Sequence, residues 1–179
     1  MYRHYGDTAV LKTHWASLNA FMGYIERTSD KTTGLNLLGG LSDWVPPGGN
    51  GRVPTPGPEC SAFYALLDTR HMAVMATAIG ETVDSERYTA AFTAGQKAYH
   101  AHFYNTTTGV YSKGTQCSAM MALFIGAVPV AIGETVILLT LSLSIAIEAP
   151  TKGRGGCSRM TLSPTARCRS RSKQPCSAT

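Results

Sequence analysis

Apolar residues recur along the first part of the chain at intervals of three and four. From Ala9 to about Arg27, Val10, Trp15, Leu18, Phe21, Met22 and Ile25 share one side of a helix, while Lys12, Asn19 and Glu26 fall largely on the other. The spacing predicts an amphipathic helix, with Asp7 or Thr8 placed to cap its free amides. A second helix is predicted from about Pro58 to Ile79, carrying Phe63, Leu66, Leu67, Met72, Met75 and Ala76 and stopping at Gly80. A third runs from about Ser85 to Phe103, capped by Asp84, with Tyr88, Phe92 and Tyr99 inward. The short Gly-Glu-Thr-Val link between these two makes an antiparallel helical hairpin. Asn105 to Gly114 reads as a turn, and a fourth helix, about Thr115 to Ala127, ends at Gly126 and Pro129. Up to this point no stretch reads as a convincing strand, so the predicted class is all-α. Its apolar stripes must pack on other helices, and Ala65, Ala73, Ala76 and Ala90 permit close approach.

The pattern changes after Val130. Between Thr135 and Ala149, Val136, Ile137, Leu138, Leu139, Leu141, Leu143, Ile145 and Ile147 stand with Thr140, Ser142, Ser144 and Ala146 between, a period-two alternation that looks like a strand. The run is shorter than the roughly 20 apolar residues that a membrane helix needs, and no membrane partner is expected. Pro150 to Thr179 is Arg, Ser, Thr, Gly, Cys and Pro with almost nothing apolar, so it is expected to be disordered. Three segments follow: residues 1–130, an apolar segment 131–149, and a basic Ser/Arg/Cys-rich tail 150–179. Ala78-Ile79-Gly80-Glu81-Thr82-Val83 recurs letter for letter as Ala131-Ile132-Gly133-Glu134-Thr135-Val136. Nothing in the physics of either segment explains the repeat.

Composition narrows the function classes. A chain of 179 residues, 44% hydrophobic and 15% charged, suits one globular domain. Its formal charge of +5 is unevenly placed: residues 1–149 hold nine Lys and Arg against all 11 acids, and the last thirty hold the other seven bases. The body is thus mildly acidic, which argues against nucleic acid as its ligand. A basic arm that binds nucleic acid through the tail would need interleaved aromatics, and there are none. The five cysteines, Cys60, Cys117, Cys157, Cys168 and Cys176, form no CxxC pair, so neither a zinc site nor a disulfide framework is supported. No secretory signal is visible at the N-terminus, and the compartment stays open. Asn105-Thr106-Thr107 would accept a glycan only in a secreted chain.

One stretch interrupts the helices in a way that suggests chemistry. Leu41-Ser42-Asp43-Trp44-Val45-Pro46-Pro47-Gly48-Gly49 cannot be helix interior, because proline removes a donor and restricts its predecessor. It is a loop, and a carboxylate beside an indole suits a sugar: one accepts from hydroxyls, the other offers an apolar face. The alternative is a surface turn with Trp44 folded back onto the core.

Tyr5-Gly6-Asp7, a helix ending in Tyr24-Ile25-Glu26, Ser42-Asp43-Trp44, Thr55-Pro56 opening a helix, Tyr111-Ser112-Lys113-Gly114-Thr115-Gln116 and Gly126-Ala127-Val128-Pro129 come in an order and spacing that resemble the catalytic domain of α-L-rhamnosidases. Ser42 stands where that family commonly has glycine. The resemblance covers roughly Met1 to Val130 and implies a fragment of an (α/α)6 barrel, the six-hairpin toroid. It further implies an inverting glycosidase, in which one carboxylic acid protonates the leaving oxygen and a second activates water, about 6.5 to 9.5 Å apart. By the same resemblance the chain is about the middle third of the barrel, and both catalytic carboxylates fall outside it. The expected catalytic set within the chain is therefore empty. Asp43 and Trp44 are expected to line the rhamnose pocket, with Gln116 near it at a helix start, and the implied partner is a rhamnose-containing glycoside or oligosaccharide. No metal and no cofactor are expected. Glu26, Glu81, Asp84 and Glu86 are assigned to solvent faces or links, and Asp7 and Glu59 to helix-start charges. The competing class is a non-enzymatic helical sugar-binding or interaction module.

Overall fold

The computed structural model describes residues 2–40, 42 and 55–138. The chain divides into two compact units, Met1–Ala149 and Pro150–Thr179. The tail expectation concerns the second unit and lies outside the described residues.

Among the described residues the first unit carries the helices α1 Tyr2–Tyr5, α2 Ala9–Thr28, α3 Gly57–Ile79, α4 Thr82–Phe103 and α5 Gln116–Phe124, with a further helical stretch at 130–138. The short α1 has no counterpart in the periodicity. Thr8 stands at the cap of α2 without a side-chain bond, and Asp7 supplies the acceptor instead, taking the Ala9 amide at 2.8 Å. α3 begins one residue before Pro58 and ends at Gly80, whose φ of 86° closes the helix in the left-handed region. α4 starts at Thr82 rather than Ser85, so Asp84 is not its cap. Standing in the first turn, that carboxylate reaches across to α2, accepting from Trp15 Nε1 at 3.1 Å and from Asn19 at 3.4 Å. Arg87 bonds both Asp84 and Asn19, and Tyr88 donates to Asn19 at 2.6 Å, making a polar knot between α2 and α4.

Two cores form along α3. The larger gathers Leu35, Ala62, Leu66, Tyr99, Phe103, Tyr111, Ala122, Ile125 and Val136, and the smaller joins Met22, Met72 and Tyr88. Tyr88 and Tyr99 are buried as expected, with Phe92 packed at the edge. Val10 and Phe21 are not inward: they stand 49% and 52% exposed, because α2 meets the hairpin along one narrow seam. Ala90 is likewise exposed, and Gly95 of α4 stands tight against α3, where an added Cβ would lie 2.1 Å from Leu66 Cδ2.

Residues 104–111 make a small antiparallel hairpin, β1 Tyr104–Asn105 and β2 Val110–Tyr111, pairing Tyr104 with Tyr111 and Asn105 with Val110. The Asn105 side chain accepts from the amides of Thr107 and Thr108, folding the turn. Residues 130–138 are helical, which corrects the strand expectation where it can be examined; 139–149 lie outside the described residues. Pro129 suits a helix start, its carbonyl accepts from Ile132, and Val136 turns into the larger core. No described helix is long and apolar enough to cross a membrane.

Candidate functional site

Asp43 and Trp44 lie outside the described residues. What can be built is the ground on either side of their loop. On the incoming side, Gly39 and Gly40 press against the start of α3: Ser61 Oγ donates to the Gly39 carbonyl at 2.7 Å. A Cβ at Gly57 would meet the Gly40 oxygen at 3.1 Å, so only glycine lets the two backbones approach this closely. On the outgoing side, Thr55 is buried and its hydroxyl lies 3.0 Å from that of Thr115. Thr115 is the cap of α5, accepting from the Ser118 amide at 3.0 Å, and the next residue, Gln116, is exposed in the first turn. The structure thus brings Gln116 to the place where the loop returns to the helices.

Beneath that place is a carboxyl group whose burial the sequence does not announce. Glu59 stands in the first turn of α3, as expected of a helix-start charge, yet it is wholly buried. Its Oε1 accepts from Tyr99 at 3.3 Å and its Oε2 from Ser118 at 2.7 Å, with the Ser112 side chain also in bonding contact. Burial pushes this carboxyl above its ordinary value, opposed by the three hydroxyls. The same burial, together with the charge and hydrogen bond of Glu59, raises Tyr99. Tyr111 is raised too, by burial and then Tyr104, and its hydroxyl lies 2.7 Å from His100 Nδ1, a ring that burial holds below the usual imidazole range. Ser112 sits in the left-handed region at φ 46° and is tied to the Phe103 carbonyl at 2.7 Å. A non-glycine residue there is strained, which is common where side chains are held for a purpose. The available signal was the density of hydroxyls in Ser112, Thr115 and Ser118, opposite a single acid.

The other described acids that make contacts are structural. Asp30 folds the turn after α2, its carboxyl held below the usual range first by the Thr33 amide and then by the Thr33 hydroxyl. Asp84 belongs to the α2–α4 knot. Asp68 is raised by burial, with His71 pulling it down, and lines a groove of about 530 Å³ that α1, α2 and α3 enclose with Leu18, Phe21 and Met72. A second groove, about 440 Å³, lies between the α2 end, α3 and α4. Gln116 lines neither.

Residues 1–147 match the family model described as the bacterial alpha-L-rhamnosidase 6 hairpin glycosidase domain, extending past Val130, where the resemblance was expected to end. An alpha-L-rhamnosidase of Streptomyces avermitilis is 30% identical over 129 residues, which is 72% of this chain and 12% of that protein. The crystal structure of a Streptomyces avermitilis alpha-L-rhamnosidase complexed with L-rhamnose superposes with a TM-score of 0.69 at 28% identity, covering 81% of this chain and 13% of that one. An alpha-L-rhamnosidase from Dictyoglumus thermophilum, 19% identical, shares the fold with a TM-score of 0.70 over 79% of this chain and 16% of its own. The chain spans about one eighth of the length of the curated relative it matches.

Proposed function

We propose a function for this chain from one premise: it belongs to the bacterial α-L-rhamnosidase six-hairpin glycosidase domain family. On that basis it is an arc of the helical toroid of a glycoside hydrolase, and its contribution to the removal of terminal α-L-rhamnose is a sugar-binding wall. The observation that carries this is the convergence of both loop ends on the starts of α3 and α5, with Gln116 exposed beside them. In this reading the Asp43 carboxylate accepts from sugar hydroxyls and the Trp44 indole covers an apolar ring face. The general acid and base come from hairpins outside this chain, so the isolated chain holds rhamnose without hydrolysing a rhamnoside. Glu59 does not replace them, because a wholly buried carboxyl cannot reach a glycosidic oxygen.

Two measurements test this. Purified chain incubated with an aryl α-L-rhamnoside is expected to release no phenol above buffer; turnover that Asp43→Ala abolishes would overturn the inactive assignment. L-Rhamnose added to the chain is expected to change indole emission in the wild type and in Trp15→Phe but not in Trp44→Phe. An unchanged spectrum in all three removes the sugar assignment. The second reading, a non-enzymatic interaction module, draws on the exposed Phe21, Tyr24, Tyr64 and Phe124 side chains. The two readings part when a polypeptide carrying the remaining hairpins is mixed in: hydrolysis returns only on the first.

A further inference from the structure

We propose that Glu59 is a positioning residue for the sugar-binding wall: its carboxylate gives direction to a chain of hydroxyls that runs from Thr55 through Thr115 and Ser118, and so fixes the first turn of α5 and Gln116. The role rests on the sugar-binding assignment above, while the chain itself rests on geometry alone.

A hydroxyl has one proton to donate, and an ionised carboxylate has none. Ser118 Oγ gives its proton to Glu59 Oε2 at 2.7 Å. At its 2.9 Å contact with Thr115 it can therefore only accept, so Thr115 is the donor there. Thr115 Oγ1 has then spent its proton and accepts twice, from the Ser118 amide at 3.0 Å and from Thr55 at 3.0 Å. Every link points toward Glu59. Glu59 and Ser118 each lie in the first turn of a helix, so their bond ties the start of α3 to the start of α5. Tyr99 from α4 supplies a further donor at 3.3 Å. Once Glu59 is protonated it becomes a donor itself, the direction is no longer imposed, and the cap of α5 competes with a reversed arrangement. The titratable group bonded to the carboxyl is Tyr99 on α4, which in turn feels Cys60 on α3 and Tyr111 on β2, and Tyr111 meets His100. Among the described residues none of these brings a cation into hydrogen-bond contact with Glu59, so the hydroxyls are what hold its charge.

The full chain, isotopically labelled, decides the matter by nuclear magnetic resonance and rhamnose titration. With pH raised from the ordinary carboxylate range upward, the Glu59 side-chain carbon and the amides of Gln116 and Ser118 are expected to titrate with one shared midpoint. In Glu59→Gln that midpoint disappears from both amides, and rhamnose binding weakens about tenfold, the factor expected when one oriented hydrogen bond is lost. Ser118→Ala, which breaks the chain one link from the carboxyl, serves where Glu59→Gln fails to fold, and carries the same expectation at Gln116. Amides that ignore the Glu59 midpoint in the wild type overturn the proposal. So does a folded Glu59→Gln chain that binds rhamnose as tightly as the wild type. A wild type that shows the shared midpoint but binds no rhamnose supports the hydroxyl chain and counts against the sugar assignment alone.

Discussion

A carboxyl with no exposure and only hydroxyls for company pays for its charge in stability. Glu59 is raised above its ordinary value in the folded chain, so between the unfolded and folded values the native state binds more protons than the unfolded one. Its contribution to stability is then fully present below the unfolded value and is lost as pH rises through the folded one. Chemical denaturation of wild type and Glu59→Gln across that window should show the wild type losing stability relative to the variant as pH increases. Parallel curves would mean that the carboxyl is solvated. Gly95 is a second residue whose environment sets a sharp expectation: with Leu66 Cδ2 only 2.1 Å from a built Cβ, Gly95→Ala forces the buried Leu66 side chain out of its place in the core. It should cost about 1 to 3 kcal/mol in a melting experiment, despite alanine's better helix propensity. Neither residue was legible in the sequence. Periodicity places Glu59 at a helix start, where acids are ordinarily solvated, and it cannot reveal that a second helix start is aimed at the same point.

Among the elements, boundaries were legible wherever backbone chemistry dictates them. Pro58 near the start of α3 and Gly80 at its end lie within a residue of expectation, since proline and glycine act locally. Residues 135–138 were misjudged because a run as short as Thr135-Val136-Ile137-Leu138 cannot distinguish period two from period 3.6; the backbone there is helical and turns Val136 into the larger core. Asp84 was misassigned for another reason: its partner Trp15 is 69 residues away, and tertiary contact overrides the local preference for capping. α5 is short, nine residues, and relies on Thr115 for its cap. Thr115→Ala is expected to lose about 1 kcal/mol or somewhat more, as the orphaned amide and the severed Thr55 contact add together, and circular dichroism melts would record it. Thr115→Ser should restore most of that loss.

For the molecule as a whole, the fold class was readable because amphipathic helices must bury their stripes on one another. Which side chains converge on Glu59 was not, since it depends on how α3, α4 and α5 cross. Described aromatics also stay in water: Phe21 is 52%, Tyr64 60% and Phe124 60% exposed, along separate helices. Such surface favours self-association, so light scattering is expected to show the isolated chain growing in mass with concentration. A monodisperse monomer with a sharp cooperative melt would contradict that.

The knot between α2 and α4 has a mechanical corollary. α2 fully buries one methionine, packs Trp15, Leu18 and Ile25 only partly, and is tied by Asp84, Asn19 and Arg87, whereas the main helix packing is between α3 and α4. Under load or mild denaturant the N-terminal rod should therefore peel away first, freeing the Trp15 indole from its carboxylate while the rest of the scaffold still stands.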